Sequence, residues 1–100
     1  MKEIILSADG DSVVYLVPDE VADNLAEYCI EFCDSWIWGG PEAERYIING
    51  VAQYDVSDFI EYLNNYLFPE QKSVMIKNLG WTDLGRNLPG KYRFHPYFNF

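Results

Sequence analysis

The sequence predicts an α+β fold in which a small antiparallel sheet, made of an N-terminal hairpin and a later strand, packs against two or three helices. Two runs of β-branched and apolar residues near the start of the chain flank an Asp-Gly-Asp turn signal. Two later segments place apolar residues at the spacing of one helix face. The length of 100 residues, with no linker-like segment, predicts that residues 1–100 form one domain.

The sheet elements are predicted from local signals. Residues 3–6 and 12–17 are expected to form the hairpin strands, and Gly10 in the intervening turn tolerates positive φ. Residues 73–77 predict a further strand. Residues 78–90 contain three glycines and a proline and predict a loop, and strand-like alternation resumes at Lys91.

A long amphipathic helix is predicted over about 19–38. Pro18 and the acidic residues after it suit a helix start, and the Gly-Gly-Pro sequence at 39–41 ends it. At about 100° per residue the apolar side chains, including both cysteines, fall in one wide arc. The opposite, acidic arc consists of Glu20, Asp23, Glu27, Glu31 and Asp34, and Trp38 lies on the same side.

Residues 41–54 allow two interpretations. Pro41 at a first helical position and Ala43 favour a short helix over 41–48, which is the preferred interpretation. However, Asn49 and Gly50 stand between two apolar runs and are also the strongest signal for a two-residue hairpin turn.

A further helix is predicted over about 56–68. Asp55 suits the N-cap, and Asp58 stands three residues later, as in a capping box. Pro69 ends the segment. Its apolar face consists of Val56, Phe59, Ile60, Tyr62, Leu63, Tyr66 and Leu67.

The charge restricts the classes of partner. The chain carries 16 acidic and 7 basic side chains, a net charge of −9. Such a surface repels phosphates, which argues against double-stranded nucleic acid and anionic membranes as partners. No apolar run is long enough to span a bilayer. The charge is uneven: residues 1–70 hold 15 acidic and 2 basic residues (net −13), and residues 71–100 hold 1 and 5 (net +4).

The sequence contains no specific catalytic or metal-binding motif. Cys29 and Cys33 stand four residues apart on one helix face, a poor geometry for a disulfide, which predicts buried, reduced thiols and a cytoplasmic protein. A structural zinc site needs four nitrogen or sulfur ligands, and His95 is the single histidine. No glycine-rich phosphate motif is present. We therefore expect no metal, no cofactor and no enzyme activity.

The acidic arc suggests the leading functional hypothesis. Like charges at four-residue spacing each destabilise a helix by a few tenths of a kcal/mol, so their retention is explained either by solubility or by docking of a basic protein. Trp38 beside them is a residue type common at interface hot spots. The composition is similar to that of small immunity proteins, inhibitors and antitoxins. A self-associating protein, in which the basic tail of one copy binds the acidic helix of another, and a small enzyme are the alternatives.

The C-terminal residues form an aromatic segment. Six of the last nine are aromatic when the imidazole is counted: Tyr92, Phe94, His95, Tyr97, Phe98 and Phe100. We expect this segment to be packed against the core, with an aromatic binding surface as the alternative.

Overall fold

The computed structural model of the protein describes residues 1–82 and 88–100. Within them a four-stranded sheet has the order β5-β2-β1-β6, and helices cover one of its faces. The strands are β1 Lys2–Ser7, β2 Asp11–Val17, β5 Val74–Trp81 and β6 Tyr97–Asn99. This architecture confirms the predicted α+β class.

The β1–β2 hairpin forms the centre of the sheet. It pairs in antiparallel register, with Ile4 opposite Tyr15 and Ile5 opposite Val14. Because side chains alternate along a strand, Ile4 and Tyr15 face the helices, and Ile5 and Val14 face the opposite side. On that opposite side they pack with Tyr92, so both faces of the hairpin are buried.

The sequence predicted a wholly antiparallel sheet, but the strand β6 makes the sheet mixed. It runs parallel to β1, with Ile5 opposite Tyr97 and Ser7 opposite Asn99. The preceding segment forms a 3₁₀ turn, Gly90–Tyr92, where strand-like alternation was expected. The chain is thereby returned to β1 in the parallel direction, which no local sequence signal specifies.

The predicted helix over 19–38 is divided into shorter segments. These are α1 Asp19–Asp23, α2 Leu25–Glu31, a π-helical turn Phe32–Trp36 and α3 Ile37–Gly39. Asn24 leaves the helical region with φ −131° and ψ 39°. Its side-chain amide donates to the Glu20 carbonyl at 3.0 Å. Asparagine competes in this way for backbone groups, which explains the break.

Both interpretations of 41–54 are partly correct. A single helical turn, α4 Ala43–Tyr46, is followed directly by the strands β3 Ile47–Ile48 and β4 Val51–Ala52. Asn49 and Gly50 join them with φ values of 52° and 77°, the pair of positive values that a type I′ turn requires. The preferred helix over 41–48 is therefore too long, because the turn signal dominates from Ile47 onward.

The helix α5 Val56–Tyr62 begins at the predicted cap. The Asp55 carboxylate accepts hydrogen bonds from the backbone N–H groups of Ser57 (2.9 Å) and Asp58 (3.3 Å), and the Asp58 carboxylate accepts one from the Asp55 N–H (2.9 Å). A second π-helical turn, Leu63–Leu67, continues the helix nearly to the predicted end before Pro69.

The strand β5 is longer than predicted. It pairs antiparallel with β2 and runs to Trp81, so residues 78–81 belong to the sheet and not to a loop. Two irregularities in its register accommodate extra residues, and Gly80 takes φ 73° at the second of them. The rest of the predicted loop includes residues 83–87, which lie outside the described residues.

The main core lies between the sheet and the helices. Phe32 is fully buried at its centre, with the rings of Tyr62, Tyr54 and Phe59 at centroid distances of 5.3–5.6 Å. Phe100 also packs against this cluster, 5.5 Å from the Phe59 ring. The expectation that the aromatic C-terminal segment packs against the core is confirmed for Phe98 and Phe100. It is wrong for Phe94 and Tyr97, which are exposed.

Candidate functional site

A groove of about 710 Å³ lies between α2 and the second π-helical turn. Three of the five predicted acidic residues line it: Glu20 from α1, and Glu27 and Glu31 from α2. All three are exposed. Since Glu27 and Glu31 are four residues apart on α2, their side chains lie on the same side of the helix. The structure therefore gathers these carboxylates at one depression.

The other predicted site residues do not line the groove. Asp23 forms an ion pair with Lys2 across a distance of 2.6 Å, which attaches α1 to β1 and raises the pKa of Lys2. Asp34 lies in the first π-helical turn, where its carboxylate is 3.8 Å from the Cys33 Sγ. Trp38 is half-exposed on α3. The acidic arc predicted for one regular helix is thus divided by Asn24 and by the π-helical turn.

The groove also has apolar and aromatic walls. Tyr28 from α2, Tyr62 from α5 and Leu67 line it together with the three glutamates. Tyr62 is held by Trp36, whose ring centroid is 4.9 Å away, and Tyr28 packs against Phe68 at 6.1 Å. These contacts fix two aromatic rings beside the carboxylates.

The glutamates affect the pKa values of the two tyrosines that line the groove. Burial raises the pKa of the Tyr28 hydroxyl, and the neighbouring Glu20 carboxylate adds to the increase. Burial likewise raises the pKa of Tyr62, with a further contribution from Glu31. Both shifts favour the neutral phenol. Among the described residues, no lysine or arginine pairs with Glu20, Glu27 or Glu31.

Sequence reasoning missed part of the groove lining. Tyr62 and Leu67 belong to the predicted apolar face of the helix over 56–68, and both also line the groove, although Tyr62 is only 5% exposed. Asn24 and Tyr28 were not assigned to any site. Spacing offers a partial signal, because residues 20, 24, 27, 28 and 31 share one side of an uninterrupted helix. The contribution of α5 depends on tertiary packing and has no such signal.

The cysteines and the histidine lie outside the groove lining. Cys29 is fully buried, Cys33 is half-buried, and neither is in a disulfide. His95 Nε2 is 3.0 Å from the Glu3 carboxylate, and its ring packs edge-on against Tyr92. In the described part of the chain no three His, Cys, Asp or Glu side chains are grouped to hold a metal ion. The groove lining itself consists mainly of carboxylates, phenols and apolar surface.

Comparison with known proteins gives no family assignment, since no family model, curated protein or solved structure matches the chain. Across residues 1–82 and 88–100, none of the helices has the length and apolar character needed to cross a membrane.

Proposed function

We propose that this protein is a non-enzymatic binding protein whose acidic groove docks a basic segment of another protein. The observation that carries the proposal is the convergence of Glu20, Glu27 and Glu31 on a groove walled by Tyr28 and Tyr62. The proposed docking surface is centred on these residues; Asp23, Asp34 and Trp38, which the sequence assigned to the same surface, lie outside the groove lining.

The lining suits lysine and arginine side chains. Their methylene stems pack on aromatic and aliphatic surface while the charged end stays near solvent and carboxylates. A cation near a tyrosine face gains a further electrostatic attraction. The net charge of −9 adds long-range steering of a basic partner toward the protein.

The free cysteines support a reducing compartment, and we propose that binding takes place in the cytoplasm. Burial raises the pKa of both thiols, and the Asp34 carboxylate adds to the shift at Cys33. A raised pKa keeps a thiol protonated and unreactive near neutral pH. This supports a structural role for the two cysteines.

A peptide-binding measurement tests the groove. The probe is a fluorescein-labelled, short helical peptide with leucines on one face and lysines on the other, followed by fluorescence anisotropy and stopped flow. The double variant Glu27→Lys/Glu31→Lys should slow association by at least about tenfold at low salt. The difference from the wild-type protein should shrink as salt is added, because exposed charges are screened.

A matched double variant distinguishes docking at the groove from attraction to the total negative charge of the protein. Glu44→Lys/Glu70→Lys changes the net charge equally at exposed residues that do not line the groove. It should retain most of the wild-type association rate. Equal losses in the two double variants, with unfolding midpoints unchanged, would show that the peptide responds to total charge and would refute a specific groove.

A further inference from the structure

The strand β5 is the longer edge of the sheet. It has eight residues, and within the described parts of the chain its one strand partner is β2. The other edge strand, β6, has three residues. A strand edge presents backbone N–H and C=O groups that are able to pair with another chain, so a long edge is a potential site of strand addition.

Side-chain contacts mark where the free part of this edge begins. Just before β5, the Asn64 side chain forms two hydrogen bonds with the backbone of Ser73. It accepts one from the Ser73 N–H at 2.7 Å and donates one to the Ser73 carbonyl at 3.1 Å. Toward the end of β5, the Asn78 side chain accepts from the Gly80 N–H at 2.7 Å and also donates to the Asp11 carboxylate of β2 at 3.2 Å, so this side chain reaches toward β2. The segment between Ser73 and Gly80 is 74–79, with Ile76 near its middle.

This segment exposes consecutive apolar side chains. Val74, Met75 and Ile76 are 48%, 63% and 46% exposed. On β2, Val14 pairs with Lys77 and the next residue, Tyr15, pairs with Met75. Ile76 is therefore an additional residue of β5 at this irregularity. Since side chains alternate along a strand, Val74 and Met75 lie on opposite faces of the sheet, so exposed apolar side chains stand on both faces beside this edge. A strand added at the edge packs against such side chains on both faces.

The charge pattern favours a second copy of the same chain as the occupant. Residues 71–82 contain no acidic residue in a protein with 16 of them, and Lys72 and Lys77 flank the apolar residues. Two such edges can approach without bringing carboxylates together. The arrangement of an apolar centre with a charged rim is also that of protein interfaces.

We propose that two copies associate through their β5 edges in antiparallel orientation, about a two-fold axis at Ile76, and so form one continuous eight-stranded sheet. Such an interface is self-complementary: each Ile76 lies opposite the other, and Lys77 lies opposite Met75 of the second copy. The lysine stem then packs on apolar surface, and no two lysines are directly opposed. This association goes beyond the proposed groove function and does not depend on it.

Sedimentation equilibrium over a range of protein concentrations tests the dimer. We expect a monomer–dimer equilibrium that does not weaken at high salt, because apolar burial drives it and salt screens the remaining repulsion between the copies. Hydrogen exchange at the amides of residues 74–79 should slow as the dimer fraction rises. A protein that stays monomeric up to millimolar concentration would overturn the proposal and would show that Lys77 and the register irregularities protect the edge.

Two matched substitutions locate the interface. Ile76→Lys places two like charges opposite each other and should weaken dimerisation by at least about tenfold. Ile48→Lys is the control, since Ile48 is also 46% exposed but lies on β3, and it should leave the dimer unchanged. If circular dichroism shows that Ile76→Lys is unfolded, Met75→Lys replaces it. Equal weakening by the β3 control would overturn the assignment to β5.

The competing form of self-association gives a different result. If the basic tail of one copy bound the acidic groove of another, high salt would dissociate the dimer, and Glu27→Lys/Glu31→Lys would abolish it. That outcome would overturn the β5 interface. A dimer that survives both treatments and is lost in Ile76→Lys supports it, whatever the result of the peptide measurement.

Discussion

The two cysteines show how one residue's environment depends on local helix geometry. Cys29 is fully buried in α2, as its place in the apolar arc predicted. Cys33 is half-buried, although an α-helix would place it on the same face. It lies in the π-helical turn, where the hydrogen bonds span five residues and rotate the following side chains away from their α-helical positions. Apolar spacing does not reveal such a turn.

Thiol labelling checks this difference. We expect Cys33 to react slowly with a maleimide in the native protein, and Cys29 to react after unfolding. Labelling of Cys33 should accelerate as the pH rises, because partial burial and the Asp34 carboxylate raise its pKa and the thiolate is the reactive form. Mass spectrometry after a timed reaction measures both sites. Native labelling should disappear in Cys33→Ser, and residual labelling of Cys29 in the folded variant would contradict the structure.

At the scale of elements, the accuracy of the sequence predictions follows the range of the signals. The cap of α5 and the β1–β2 hairpin depend on neighbouring residues and were predicted correctly. The break of the helix at Asn24 also has a local cause. However, asparagine occurs within regular helices as well, so its presence does not predict a break. The parallel pairing of β6 with β1 joins residues about ninety positions apart and was not predictable from spacing.

The α5 capping box makes a prediction about this element. Asp55→Ala removes the acceptor for two backbone N–H groups and should lower the free energy of unfolding by roughly 0.5–2 kcal/mol. Asp55→Asn retains a capping oxygen and should stay within a few tenths of a kcal/mol of the wild-type protein. Urea unfolding followed by circular dichroism measures both. Equal stability of the alanine and asparagine variants would show that the cap contributes little.

At the scale of the whole molecule, the aromatic residues divide into a core set and a surface set. The sequence predicted that the C-terminal segment is packed against the core, and Phe98 and Phe100 do pack there. It gave no basis for separating them from Phe94, which is 91% exposed. Similarly, composition predicted an acidic surface, but only the packing of α2 against the α5 region makes a groove of it. Both distinctions are properties of the tertiary structure.

Phe100 and Phe94 give a matched test of the distinction between core and surface aromatics. Phe100 contacts the rings of Phe32, Tyr54 and Phe59 at centroid distances of 5.5–6.2 Å, and its N–H donates to the Ser7 carbonyl at 2.8 Å. Removal of this side chain in Phe100→Ala should lower the free energy of unfolding by roughly 1.5–3 kcal/mol, a large share of the roughly 5–15 kcal/mol typical of a domain.

Phe94→Ala removes the same atoms from the surface and should leave the unfolding midpoint within experimental error. Deletion of residues 97–100 removes β6 as well as Phe98 and Phe100, and it should destabilise the protein more than Phe100→Ala does. Thermal and urea unfolding of the three variants measure this order. If Phe100→Ala melted together with Phe94→Ala and the wild-type protein, the C-terminal aromatics would be a surface feature. If the deletion variant also melted with them, the parallel strand would not stabilise the fold.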